Sequence, residues 1–161
     1  MRLSAKTYSN LLDSIFTLED SLLTQDELQL LSESLFSGNS DTYNEVIKRE
    51  VRSLTAEAVT KDMAEAKLTP EVYLKKAKDM VASLPVLELA VAFEPSVRQT
   101  QQLVTKIRQL AGYPIIAGIS VRPYLLGGTE LTLNGEFRDY SLRTNVNHLF
   151  GEMFAGLDEE L

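Results

Sequence analysis

One histidine, no cysteine and no tryptophan occur among the 161 residues. That excludes a disulfide framework, a thiolate nucleophile and cysteine-ligated zinc. His148 alone cannot form a paired-histidine metal site, and it is the only imidazole available to a Ser-His pair. It falls on the last expected helix, one turn from Thr144, with no serine elbow or paired carboxylate near it in sequence. Gly127-Gly128 lacks the Lys-Ser/Thr of a phosphate loop and precedes a strand rather than a helix. Its plain meaning is permissive backbone between a loop and a hairpin. The acidic end Asp158-Glu159-Glu160 lacks metal-loop spacing. The expectation is therefore no catalytic residue, no bound cofactor and no metal.

The formal charge is −7, from 16 Lys+Arg against 23 Asp+Glu, with a sequence pI near 4.8. That balance opposes general nucleic-acid binding, which needs cations to replace phosphate counterions. No apolar run reaches the roughly 18 residues of a membrane span. The first 16 residues lack the apolar stretch of a signal peptide, and no Asn-x-Ser/Thr sequon occurs. These features fit a soluble cytoplasmic protein, and a binding or structural part better than an enzyme.

The elements that carry these residues change character near residue 84. Residues 1–83 hold one Gly and one Pro, and residues 84–161 hold seven and four. The expected architecture is α+β, with an all-α bundle over 1–83 and a small two-layer α/β domain over 84–161. The second domain would have a mixed sheet and a C-terminal helix.

Ala5, Tyr8, Leu12 and Ile15 share one helical face in a helix starting near Ser4, and Leu11, Phe16 and Leu18 widen it. Thr24 and Glu27 fit a capping box opening a second helix, with Leu28, Leu31 and Leu35 inward and Ser37-Gly38 as the stop. Tyr43, Ile47, Val51, Leu54 and Ala58 mark a third helix from Thr42, running on through Met63 and Ala66 or restarting there. Thr69-Pro70 opens a fourth. Lys48, Arg49, Glu50, Arg52, Glu57, Lys61 and Glu65 read as a solvated face.

In the second half, Val86 to Phe93 alternates as a strand. Val97 to Ala111 reads as a helix closed by Gly112, with Leu103, Val104, Ile107, Leu110 and Ala111 inward and Arg98, Lys106 and Arg108 outward. Ile115 to Val121 is a second strand. Asn134-Gly135 joins Thr129–Leu133 to Phe137–Tyr140 as a hairpin. A three-residue loop would set Leu133 opposite Phe137 and Asp139 opposite Leu131, and that apolar pair favours this register. Asp139 then needs donors, which Ser141 and the start of the last helix, about 142–155, supply.

The ordered set Pro123, Leu125, Leu126, Gly127, Gly128, Asp139, Ser141 and Leu142 follows a strand–helix–strand unit, with ten residues between Gly128 and Asp139. Residues 86–143 thereby resemble the C-terminal domain of the δ subunit of F-type ATP synthase, the oligomycin-sensitivity-conferring protein of mitochondria. The opening Ala5-Lys6-Thr7-Tyr8-Ser9-Asn10-Leu11-Leu12 is loosely similar to the family's first helix. Two departures stand out. The family's N-terminal bundle has six helices, whereas residues 1–83 have room for four or five. Arg122 stands where the family has an acidic residue before its proline.

The resemblance implies a peripheral stator subunit that performs no chemistry, on the cytoplasmic side of a bacterial plasma membrane. Its partners would be the α subunits of the catalytic hexamer and the b subunits of the peripheral stalk. Tyr8, Leu11, Leu12, Ile15 and Phe16 exceed what one core stripe needs, so they are either core or a groove for an α-subunit helix. Arg143, Asn147, Phe150, Met153 and Phe154, with Leu149, make a corresponding candidate for the b subunits. Pro123, Gly127, Gly128, Asp139 and Ser141 serve as the structural motif. The alternative is a free-standing small α/β enzyme or adaptor domain, since a fold does not fix a function.

Overall fold

The computed structural model describes residues 8–37 and 40–142. Five helices come first: α1 (Ser9–Ser14), α2 (Leu18–Ser37), α3 (Ser40–Arg49), α4 (Ser53–Ala66) and α5 (Pro70–Ala82). They are followed by β1 (Val86–Val91), α6 (Val97–Ala111), β2 (Ile116–Val121), a 3-10 turn at Pro123–Leu125, β3 (Gly128–Leu133) and β4 (Glu136–Ser141). The fold is α+β, as expected, with a helical layer against a four-stranded mixed sheet.

Buried or half-buried carboxylates organise the helical layer. Thr17 Oγ1 accepts from the Asp20 N–H at 3.0 Å, and the Asp20 carboxylate accepts from Thr17 N–H at 3.0 Å and Phe16 N–H at 3.2 Å. This reciprocal box starts α2 at Leu18. The box expected at Thr24 and Glu27 is not formed, because both lie inside α2 and face inward. They reach across the layer instead. Glu27 accepts from the Arg52 backbone N–H at 2.9 Å, the Arg52 side chain at 2.8 and 3.0 Å, and the Thr55 hydroxyl at 2.7 Å. Thr24 accepts from the Arg52 guanidinium at 3.0 Å.

Arg52 is the N-cap of α4, so Glu27 fixes the place where the chain restarts as a helix. The expected third helix therefore breaks at Glu50–Arg52, not near Met63, and the helical layer gains an element. Asp62 acts in the same way on α1. It accepts from the N–H groups of Asn10 and Leu11, both at 3.1 Å, from the Asn10 amide at 2.7 Å and from the Tyr73 hydroxyl at 3.0 Å. Two of the donors orphaned at the start of α1 are thereby satisfied by a distant helix.

The helical core gathers Tyr8, Leu11, Leu12, Ile15, Leu28, Leu31, Val59, Tyr73 and Leu74, with the Tyr8 and Tyr73 rings stacked at 5.1 Å. Each fully buried leucine or isoleucine contributes roughly 1.5–3 kcal/mol. Ile116 of β2 belongs to the same core, and Val86 of β1 packs on it.

The strand order is β2-β1-β3-β4, with β1 and β2 parallel through α6 and the other pairs antiparallel. Leu87, Leu89 and Ala117 pack with Val104 and Ile107 of α6 in a second core. The inward stripe of α6 is Thr100 and Val104, buried, with Ile107, Arg108 and Ala111 half-buried, whereas Leu103 and Leu110 are exposed, reversing three sequence expectations. Arg108 turns inward because two backbone carbonyls, Ile115 O at 2.9 Å and Ile15 O, accept its guanidinium. β1 stops at Val91, where Arg122 N–H donates to its carbonyl at 2.7 Å, and Phe93 lies outside the strand.

The hairpin takes the other register. Leu133 faces Glu136, Thr132 faces Phe137 and Glu130 faces Asp139. Asn134 and Gly135 both have positive φ, 51° and 83°, as a two-residue type I′ turn requires. A Leu–Phe cross-strand pair is worth only about 0.2–1 kcal/mol, too little to displace a turn whose twist matches the strands.

Candidate functional site

Tyr8, Leu11, Leu12 and Ile15 lie at most 3% exposed in the helical core. They present no surface. α1 has only six residues, and its apolar stripe closes against α4. Phe16 is half-buried beside the second core, with the Arg108 guanidinium 5.3 Å from its ring centre. Arg143, Asn147, His148, Leu149, Phe150, Met153, Phe154 and the acidic end Asp158–Glu160 lie outside the described residues, as do Ala5, Lys6 and Thr7.

The motif residues do come together. Pro123 opens the 3-10 turn. Gly128 starts β3 at φ 77°, and a Cβ there would fall on the Tyr140 carbonyl oxygen, so glycine is required. Gly127 O accepts from Leu142 N–H at 2.9 Å. Asp139 is exposed and accepts from Ser141 N–H at 2.8 Å, one of the donors anticipated for it. Arg122 pairs with Glu130 at 3.0 Å and donates to the Tyr124 hydroxyl at 3.2 Å.

Two surfaces stand out among the described residues. The first is the outer side of α2, where Leu22, Leu23, Leu30 and Phe36 are 54%, 51%, 41% and 76% exposed. Glu19 and Asp26 share that side, and α2 carries no Lys or Arg. The second is a groove of about 850 Å³ beside β2, between the start of α2 and the sheet. Strand register lays out its floor in rows. Gly118, Glu88, Thr132 and Phe137 form one row, and Ser120, Ala90, Glu130 and Asp139 form the next. The preceding row, Ile116 and Val86, is covered by the helical layer.

Five acids line the groove (Glu19, Asp20, Glu88, Glu94 and Glu130) against one base, Arg122. Asp20 and Glu130 are engaged within the protein, whereas Glu19, Glu88 and Glu94 are exposed. Glu88 stands at mid-strand beside Gly118, which offers no side chain to screen it. The sequence signal for it was a carboxylate set between Leu87 and Leu89 in a strand. Among the described residues, no group of three or more His, Cys, Asp or Glu side chains is arranged to hold a metal ion. No described helix is long and apolar enough to cross a membrane.

Compared with known proteins, the chain matches no family model, and no curated protein matches it.

Proposed function

We propose that this chain is a non-catalytic stator subunit of the F-type ATP synthase peripheral stalk, linking α subunits of the catalytic hexamer to the b subunits. The supporting observation is the order of built elements from β1 to Ser141. A strand, a helix, a strand, a Pro-led turn, a glycine pair at a tight backbone crossing, a hairpin and a capped Asp-x-Ser follow one another as the resemblance implies. A helical layer precedes them, also as it implies.

The join between the layers suits a part that carries load. Arg108 ties the carbonyls of Ile15 and Ile115 together, Ala117 N–H donates to Phe16 O at 2.9 Å, and Ile116 is shared with the helical core. These contacts would pass force from one layer to the other without a hinge between them. The chain would sit on the cytoplasmic side of a bacterial membrane as a peripheral part of the complex.

With Tyr8, Leu11, Leu12 and Ile15 consumed by the core, the α-subunit contact on this reading moves to the outer side of α2. Leu23 and Leu30 are two turns apart there, the spacing at which an exposed helix face meets the apolar face of another helix. The test is calorimetry with an α-subunit N-terminal peptide against the wild type and the Leu23→Glu/Leu30→Glu variant. Binding by the wild type and its loss in a folded variant are expected. Absence of binding by the wild type would overturn the stator reading.

A further inference from the structure

We propose that the groove beside β2 binds an extended peptide segment of a partner protein, rich in alternating basic and apolar residues, which adds to the sheet as a fifth strand. This does not rest on the stator reading, since it follows from the edge and its charges alone.

Among the described residues β2 is an edge strand, and its inner side is fully used. Ile116 N–H donates to Pro85 O at 3.1 Å and Arg122 N–H to Val91 O at 2.7 Å, so residues 116, 118, 120 and 122 turn their backbone groups toward β1. By the two-residue period of a strand, Ala117, Ile119 and Val121 turn theirs outward. Ala117 is taken, because its N–H donates to Phe16 O and it bridges Thr17 in parallel. At Leu18 the chain leaves the edge to begin α2. Ile119 and Val121 therefore offer backbone donors and acceptors with no strand beside them among the described residues. Such an edge is a template for an added strand.

The walls state what the added strand must carry. On the α6 side, Val97, Ile119 and Val121 give the groove an apolar strip, with Thr100 and Gln101 of α6 beside it. On the other side it meets Glu19 and Glu88 among Leu18, Leu22 and Phe137, with Arg122 held by Glu130 and Gly118 leaving Glu88 reachable from the edge. A strand lying in the groove alternates its side chains between these walls. Valine-like residues would face α6, and lysine or arginine would face the two carboxylates. An acidic segment would meet like charge on a partly desolvated surface.

The test uses the full chain and a fluorescein-labelled peptide about eight residues long of alternating lysine and valine, followed by anisotropy and by amide NMR shifts. Saturable binding that weakens as salt rises is expected, with the largest shifts at Ile119 and Val121. Val121→Pro removes an outward N–H without touching the β1 pairing, and it should weaken binding about ten-fold. N-methylating the peptide on its edge-facing amides should do the same with the unaltered protein, so the test survives if the proline variant misfolds. Glu19→Gln/Glu88→Gln should weaken binding several-fold and flatten the salt dependence. The proposal is overturned if no binding is seen. It is also overturned if N-methylation has no effect, or if an alternating glutamate–valine peptide binds equally well.

Discussion

Two sets of carboxylates, one in the helical layer and one in the groove beside the sheet, do opposite work. In the helical layer, Asp20, Glu27 and Asp62 point at backbone N–H groups and decide where α2, α4 and α1 begin. Beside the sheet, Glu88 on β1 and Glu94 in the loop after it stand exposed in an open groove. A buried carboxylate must be matched by donors or it costs several kcal/mol. An exposed one costs nothing to keep and stays available to a cation from outside. The first set therefore belongs to the fold, and the second is free for recognition.

The strongest way to break this contrast is Asp62→Ala. It strips partners from two backbone N–H groups and from the Tyr73 hydroxyl, and should cost about 3–4 kcal/mol in urea unfolding. Gly128→Ala should cost about 2–3 kcal/mol through its positive φ and the crowded Tyr140 carbonyl, with the loss of amide protection centred on the hairpin.

Acid should weaken the helical layer next. Burial alone would raise the Glu27 carboxyl, but hydrogen bonds from Arg52 and Thr55 outweigh it and hold the group below its ordinary 4.5. Its contribution is complete above that pH and is lost as pH falls through the lowered value. Glu27→Gln should reduce the acid sensitivity of the melting temperature between about pH 5 and 3. Tyr73 runs the other way. Burial, and then the nearby Asp62 charge, push its hydroxyl far up from 10.0. Its contribution holds below pH 10 and is lost as pH rises through the raised value, so its tyrosinate absorbance should appear only with unfolding. The smallest effect belongs to the sheet. Glu88→Gln should change stability by less than about 0.5 kcal/mol, and a larger loss would place Glu88 with the fold-making carboxylates.

The elements with local signatures were readable from sequence. The helix read over Val97–Ala111 forms with those bounds, and Gly112 closes it in the left-handed conformation. Pro70 starts α5, and Asn134-Gly135 turns the hairpin. What was not readable depended on partners far along the chain. Thr24 and Glu27 have the spacing of a cap, but their partner is Arg52, 28 and 25 residues away. Arg108 looks like a surface base until the Ile15 carbonyl, 93 residues earlier, meets it. The candidate surfaces followed the same rule. The glycine–aspartate motif came from the resemblance rather than from a local signal, since Gly128 meets Tyr140 and Ser141 only across the hairpin. The edge of β2 was not legible, because only the register that sets Gly118 beside Glu88 reveals it.

On the proposed reading the chain works as a link rather than a catalyst. Native mass spectrometry of the full chain mixed with an α-containing catalytic hexamer and the soluble part of a b subunit tests it most directly. A complex holding one copy of this chain, the hexamer and the b segment together is expected, reduced in the Leu23→Glu/Leu30→Glu variant. A chain that remains free in the presence of both partners would contradict it.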